Sequence, residues 1–175
     1  ERAGFPAGCF TNLPIGSKMV EEIIKNPKVK AVTLTGSEAA GRAVAANAGN
    51  EIKKTVLELG GSNALVVFAD CNLQKTVKTC VQARFQNAGQ SCIAGKRLLV
   101  ESSIATEFTK AFIEEVSKLR SGDPLSEETT IGTMARVDLA EELEKQLQDA
   151  LNKGGEVLLG GKRNQAYFEP TVVGK

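Results

Sequence analysis

The chain contains no histidine in 175 residues. Without imidazole there is no Cys–His or Ser–His pair to activate a nucleophile, and the common Cys/His zinc patterns are ruled out. No Cys-x-x-Cys pair occurs among Cys9, Cys71, Cys80 and Cys92, so neither a zinc ribbon nor a dithiol redox motif is expected, and no metal site is assigned. Charge of one sign is also lacking: 22 Lys and Arg stand against 21 Asp and Glu, without basic stripe or acidic tail. Nucleic acid and membrane surfaces are therefore not expected partners. Apolar runs such as "ALVVFA", Ala64 to Ala69, are too short to span a bilayer, and no charged-then-apolar leader opens the chain. The expectation is a cytoplasmic protein, and the start at Glu1 and end at "VVGK" suggest a piece of something longer.

What is present is a soluble composition, 42% hydrophobic, enough for one sizeable core or parts of two. The opening "ERAGFPAGCFTNLPIG" reads as a loop around one short strand. Met19, Val20, Ile23 and Ile24 recur at helical spacing until "KNP" stops them. "VKAVTLTG" reads as a buried strand running into Gly36. A helix follows, with Ser37 as N-cap, Glu38 in its first turn and Gly49 just past its end. "KKTVLEL" is a strand stopped by Gly60 and Gly61. Beyond Asn63 the alternation continues: strand "ALVVF", a helix over Leu73 to Phe85 with Val77, Cys80, Val81 and Phe85 on one face, and strand "RLLVE". Ser103 is expected to cap a helix carrying Ile104, Phe108, Ala111, Phe112 and Val116. A further helix covers Val137 to Asn152, and "GEVLLGG" and "YFEPTVV" close as strands. The order predicts an α/β fold of parallel-sheet, three-layer α/β/α units, incomplete, with a seam at Gly60 to Asn63.

Three places carry candidate chemistry. Cys92 lies in "FQNAGQSCIAGKR", between a helix and a strand, where Asn87, Gly89, Gln90 and Ser91 offer donors for a thiolate or an oxyanion. Cys80, on an apolar helix face, reads instead as a small core hydrophobe. Most carboxylates fall on helix surfaces or turns, but Glu58 ends an apolar strand before a double glycine. Strand ends of parallel sheets face ligands, and partial burial there is expected to raise its pKa and make it a general base. "LTGSEAAG" is a strand, glycine turn and helix N-terminus of the kind that receives phosphate, although it lacks the glycine spacing of the P-loop or dinucleotide fingerprint.

Taken together, these segments resemble the aldehyde dehydrogenase superfamily. "LTGSEAAG" is similar to its Thr-Gly-Ser-x-x-x-Gly turn, "LELGG" to its glutamate motif and "NAGQSCIAGKR" to its cysteine motif. "AGFPAG", "GDP", "IGTMAR" and "EPTVV" fall in the matching order. Ser62 in "ELGGS", where many members have lysine, is similar to a bacterial succinate-semialdehyde dehydrogenase subgroup. The resemblance implies residues 1–60 as the C-terminal part of a Rossmann-like NAD(P)-binding domain, and 61–175 as the N-terminal and central part of the catalytic domain. It implies oxidation of an aldehyde, succinate semialdehyde or a similar one, through a thiohemiacetal and thioester on Cys92 with Glu58 as base. NAD or NADP is then held by Thr35, Gly36, Ser37, Ala40, Gly41 and Leu59, and the aldehyde pocket falls on Phe85, Gln86, Ser91 and Ile93. The complete protein is expected to be a homo-oligomer, dimer or tetramer, and this chain alone inactive. Against this stand a non-catalytic binding or assembly module and a redox-sensing thiol, for which Cys80 is the one resolving cysteine the sequence offers.

Overall fold

The computed structural model describes residues 3–174; Glu1, Arg2 and Lys175, which belong to the opening and closing segments read above, lie outside the described residues. The chain divides between Gly60 and Gly61 into two compact units.

The first unit opens with residues 3–16, which are exposed and without regular structure, so the short strand expected there is not formed. An extended run becomes a strand only when its backbone finds a partner, and this one pairs with no strand among the described residues. A 3-10 turn at Ser17–Met19 leads into α1, Val20–Lys25. β1 (Ala31–Thr35) and β2 (Lys54–Glu58) pair in parallel, joined by α2 (Glu38–Asn50). Ile24, Val44 and Ala48 form the core, with Val20, Val32, Leu34 and Leu57 packed around them. Both helices thus cover one sheet face. The other face, with Val56 53% exposed, is bare.

The end of α2 differs from expectation, because the helix runs through Gly49 to Asn50. The left-handed residue is Ile52, φ 52°. Ile52 N–H donates to the Gly49 carbonyl at 3.0 Å and Lys53 N–H to the Ala48 carbonyl at 2.8 Å, the bond pair of a Schellman end. A β-branched residue in this conformation costs about 1–2 kcal/mol. The Lys53 ammonium offsets part of that by donating to the carbonyls of Ile24 and Asn26, closing the C-terminus of α1 against the start of β2.

In the second unit β3 (Asn63–Val67) and β4 (Gly95–Val100) are parallel, with α3 (Leu73–Phe85) as crossover. Asn72 caps α3, its side chain accepting from Lys75 N–H at 3.1 Å. Val77, Cys80 and Val81 of α3 meet Phe108, Phe112 and Val116 of α4 (Ala105–Val116) and Val67 of β3 in the main core. Phe108 and Phe112 stack at 5.8 Å. Ser103 is not the cap of α4: its hydroxyl donates to the Glu101 carboxylate at 2.9 Å, and the helix starts from Ile104 without a side-chain cap. α5 (Val137–Asn152) buries Ala140 and Leu147. β5 (Glu156–Leu159) and β8 (Val172–Gly174) are antiparallel, and a short hairpin of β6 (Arg163–Asn164) and β7 (Tyr167–Phe168) lies between them in sequence. No described helix is long and apolar enough to cross a membrane, and no cluster of potential metal ligands occurs among the described residues.

Candidate active site

In the first unit, strand pairing gathers several of the candidate residues. Thr35 and Glu58 occupy the same register position of β1 and β2. The Gly36 N–H donates to the Glu58 carbonyl at 3.0 Å, so this amide is spent on the sheet rather than turned to a ligand. Ser37 caps α2 as expected: its hydroxyl accepts from Ala40 N–H at 3.3 Å, and its carbonyl accepts from Gly41 N–H at 2.9 Å. The N–H groups of Ser37, Glu38 and Ala39 have no acceptor among the described residues. Three free amides at the positive end of a 13-residue helix make a donor set suited to a phosphate. Gly41 serves packing: a Cβ there would stand 2.8 Å from both terminal methyls of Leu59, so its absence lets the β2 exit lie against α2. Ala40 is half-buried beside this contact.

Glu58 does not have the burial expected of it. It alternates with Thr55 and Leu57, which point to the helices, and shares the bare face with Lys54 and Val56. The carboxylate is exposed because nothing in this unit covers that face.

In the second unit Cys92 is exposed, in a loop between α3 and β4. The loop opens with an unusual backbone: Asn87, Ala88 and Gly89 are consecutive left-handed residues, with φ of 53°, 54° and 75°. Asn and Gly enter this region readily, whereas Ala pays about 1–2 kcal/mol, so surrounding contacts must hold it. They come from side chains expected to serve the thiol. Asn87 Nδ2 donates to the Gln90 carbonyl at 3.3 Å. Gln90 Nε2 donates to the carbonyls of Asn87 at 3.1 Å and Thr133 at 3.4 Å, while its Oε1 accepts from Ala135 N–H at 2.8 Å. These amides therefore fix the loop rather than solvate a thiolate. The Cys92 backbone N–H, like the Ser91 N–H and hydroxyl, has no acceptor among the described residues.

Arg84, in the last turn of α3, donates Nη1 to the Gly89 carbonyl at 3.2 Å, and its guanidinium lies 5.9 Å from the centre of the Phe85 ring. Burial pushes its pKa below the usual arginine range. Lys96 and Arg97, which follow the cysteine loop, reach back to the start of the unit. The Lys96 ammonium donates to the Gly61 carbonyl, and Arg97 donates to the Ser62 carbonyl through Nε at 3.1 Å and Nη2 at 2.8 Å. Gly61 lies beside the loop, with its Cβ direction 4.0 Å from the Cys92 carbonyl oxygen.

Of the four residues expected to line an aldehyde pocket, Phe85 is half-buried and borders a cavity of about 220 Å³ with Arg84, Met134, Leu147 and Phe168. Gln86, Ser91 and Ile93 do not line it. Gln86 and Ile93 are exposed and Ser91 is half-buried, its carbonyl accepting from Ala94 N–H at 3.1 Å.

An exposed loop thiol with a free backbone donor, together with a phosphate-type helix turn, fits the outcome of comparison with known proteins. Residues 1–175 match the aldehyde dehydrogenase family. The chain belongs to that family. It is 47% identical over 175 residues to succinate-semialdehyde dehydrogenase [NADP(+)] of Mycobacterium avium (strain 104), covering 98% of this chain and 37% of that protein. An Escherichia coli NADP-dependent enzyme superposes with TM-score 0.93 at 35% identity, covering 98% of this chain and 37% of its own. Glyceraldehyde-3-phosphate dehydrogenase GapN of Methanocaldococcus jannaschii, complexed with NADP, superposes with TM-score 0.84 at 40% identity, over 88% and 33%. The chain thus spans well under half the length of the relatives it matches. Its mixed helix and strand units, with their parallel strand pairs, match part of the aldehyde dehydrogenase fold. Within this family chain, the functions of Gln90, Arg84, Lys96 and Arg97 as loop clamps are what sequence reasoning missed. The positional hint was a run of polar and basic residues flanking one cysteine, but their partners lie as far as 45 residues away.

Proposed function

We propose that this chain supplies the nucleophile, base and pyrophosphate turn of an NAD(P)-dependent aldehyde dehydrogenase. The supporting observation is the exposed Cys92, its backbone N–H without an acceptor among the described residues, in a loop pinned at Gly89 and Gln90 in a chain of this family. Residues 1–60 are read as the end of the nucleotide-binding domain and 61–175 as the beginning and centre of the catalytic domain. NADP and a semialdehyde such as succinate semialdehyde are the favoured cofactor and substrate, because the Mycobacterium avium relative carries both in its name.

The cofactor fits the free donors at the start of α2, where Ser37 N–H and its two neighbours meet a pyrophosphate. Thr35, Leu59 and Ala40, which border this turn, would help to hold the rest of the cofactor. When bound, NAD(P) supplies the hydride acceptor. The chain's own residues do the remaining work. Cys92 Sγ adds to the aldehyde carbon, its proton passing to Glu58 directly or through one water. The Cys92 N–H donates to the oxygen that becomes negative in the thiohemiacetal. Loss of hydride leaves a thioester on Cys92. Once Glu58 has released the thiol proton to solvent, it takes a proton from water as that water attacks the thioester carbonyl, and the carboxylic acid and the thiol are released.

The test is Cys92→Ala in the complete enzyme. Aldehyde oxidation should vanish while NADP affinity, measured by calorimetry, stays within about twofold, since one exposed side chain outside the phosphate turn is worth little to nucleotide binding. Substantial turnover by the variant contradicts the assignment.

A further inference from the structure

We propose that Gln90 is a positioning residue for the acylation step, a clamp that locks the cysteine loop onto the segment Ile131–Ala135; the proposal rests on Cys92 being the nucleophile. Gln90 lies two residues before Cys92 and is half-buried. Its side-chain amide has two donor hydrogens and one acceptor oxygen, and all three functions are engaged. Nε2 bridges the Asn87 and Thr133 carbonyls at 3.1 and 3.4 Å, and Oε1 accepts from Ala135 N–H at 2.8 Å. Two carbonyls on one side and an N–H on the other fix the amide orientation without ambiguity.

The platform is itself anchored. Ile131 is 5% exposed, its N–H donating to the Arg120 carbonyl at 3.1 Å, and Met134 N–H donates to the Ala166 carbonyl at 2.8 Å in the β6–β7 turn. Gln90 therefore joins a loop carrying three left-handed residues to a backbone held from two further directions. Next to Gln90, Arg84 holds the carbonyl of Gly89, the last of those residues, at 3.2 Å. With both clamps in place the Cys92 N–H and Sγ have a fixed aim. Without the Gln90 clamp, Asn87 and Ala88 are free to return to ordinary backbone conformations, and the two reacting groups shift together. Misplacement by about an ångström can cost about a hundredfold in rate.

The experiment uses the complete enzyme and two variants. Gln90→Met keeps the volume and removes every amide bond. Gln90→Glu keeps the acceptor for Ala135 N–H but sets a carboxylate against two carbonyl oxygens; once protonated, the introduced carboxyl can donate again. In stopped-flow measurements of reduced-cofactor formation with saturating NADP, Gln90→Met should slow the first turnover about tenfold to a hundredfold. The KM for NADP should stay close to wild type, while the melting temperature falls by several degrees as three hydrogen bonds are lost. The wild-type to Gln90→Glu rate ratio should be large at pH 8 and narrow as pH falls towards 5.5. That convergence is a signature a general loss of structure does not produce, and it serves as the test if Gln90→Met does not fold. Acylation at the wild-type rate in Gln90→Met, or a Gln90→Glu ratio independent of pH, overturns the positioning role while leaving Cys92 as nucleophile. A first turnover that survives in Cys92→Ala overturns the reading of the site, and this proposal with it.

Discussion

The turn from Thr35 into α2 and the loop from Gln86 to Cys92 both present backbone donors at the surface, but they are built by opposite means. The first is made of neighbours in sequence. A strand ends, Ser37 caps the helix three residues from its partner, and three amides are left over because any helix leaves them. The second runs against backbone preference through three left-handed residues and is held by a nearby bond from Arg84 and by long-range bonds of Gln90. A local motif can bind a common group such as phosphate wherever it occurs. A nucleophile needs one orientation, and for the proposed nucleophile Cys92 that orientation rests on tertiary contacts of its loop.

The largest expected effect is at Glu58. Glu58→Gln in the complete enzyme should slow hydrolysis of the thioester by about a hundredfold or more, because the amide cannot take the proton of the attacking water, while a first turnover still yields reduced cofactor, more slowly, with solvent taking the thiol proton in place of Glu58. Rapid-mixing kinetics resolves the two phases, and an unchanged second phase removes Glu58 as the base for that step.

Within the cysteine loop, Gly89→Ala and Ala88→Gly should act in opposite directions. At Gly89, φ 75°, an added Cβ would stand 2.9 Å from Arg84 Nη1. The expected cost is about 1–2 kcal/mol of backbone strain, together with displacement of the clamp. Ala88→Gly relieves the strain at φ 54°, so denaturant unfolding should show unchanged or increased stability. Equal losses from both would contradict a loop held against its backbone preference.

In the phosphate turn, Ser37→Ala removes one cap bond and should lower stability by about 1 kcal/mol. Because the cap is local, the rate of Cys92 alkylation by iodoacetamide should not change. A change in that rate would show that the two regions are coupled more tightly than their construction suggests.

The same contrast explains what could be read from sequence. α3 and α5 have their expected limits, Leu73–Phe85 and Val137–Asn152, because their apolar spacing and termini are local signals. The Ser37 cap is legible for the same reason. Ser103 misleads because its hydroxyl finds the Glu101 carboxylate before it can cap α4. Gly49 misleads because the left-handed position falls three residues later, on Ile52. The exposure of Glu58 was hidden, since alternation along β2 tells which residues share a face but not whether anything covers it. Gln90 could be recognised as polar and close to the cysteine, but its bonds to Thr133 and Ala135 depend on the whole path of the chain between them.

The smallest effect concerns the two other thiols of the second unit. Burial raises the Cys80 pKa, and the nearby Cys71 adds to that shift. A raised folded-state pKa means that the stability contributed by the buried neutral thiol is full below the unfolded thiol pKa, about 8.5. It is lost as pH rises above that value through the folded pKa. Unfolding midpoints should therefore fall as pH rises above about 8.5, and Cys80→Ala should flatten that slope. At neutral pH iodoacetamide should label Cys92 and spare Cys80.

The most direct measurement is mass spectrometry of acid-quenched Glu58→Gln enzyme after mixing with NADP and succinate semialdehyde. A succinyl adduct should accumulate on the peptide carrying Cys92, and it should be absent when Cys92→Ala is added. Turnover without any adduct on Cys92, or an adduct on Cys9, Cys71 or Cys80 instead, would contradict Cys92 as the nucleophile.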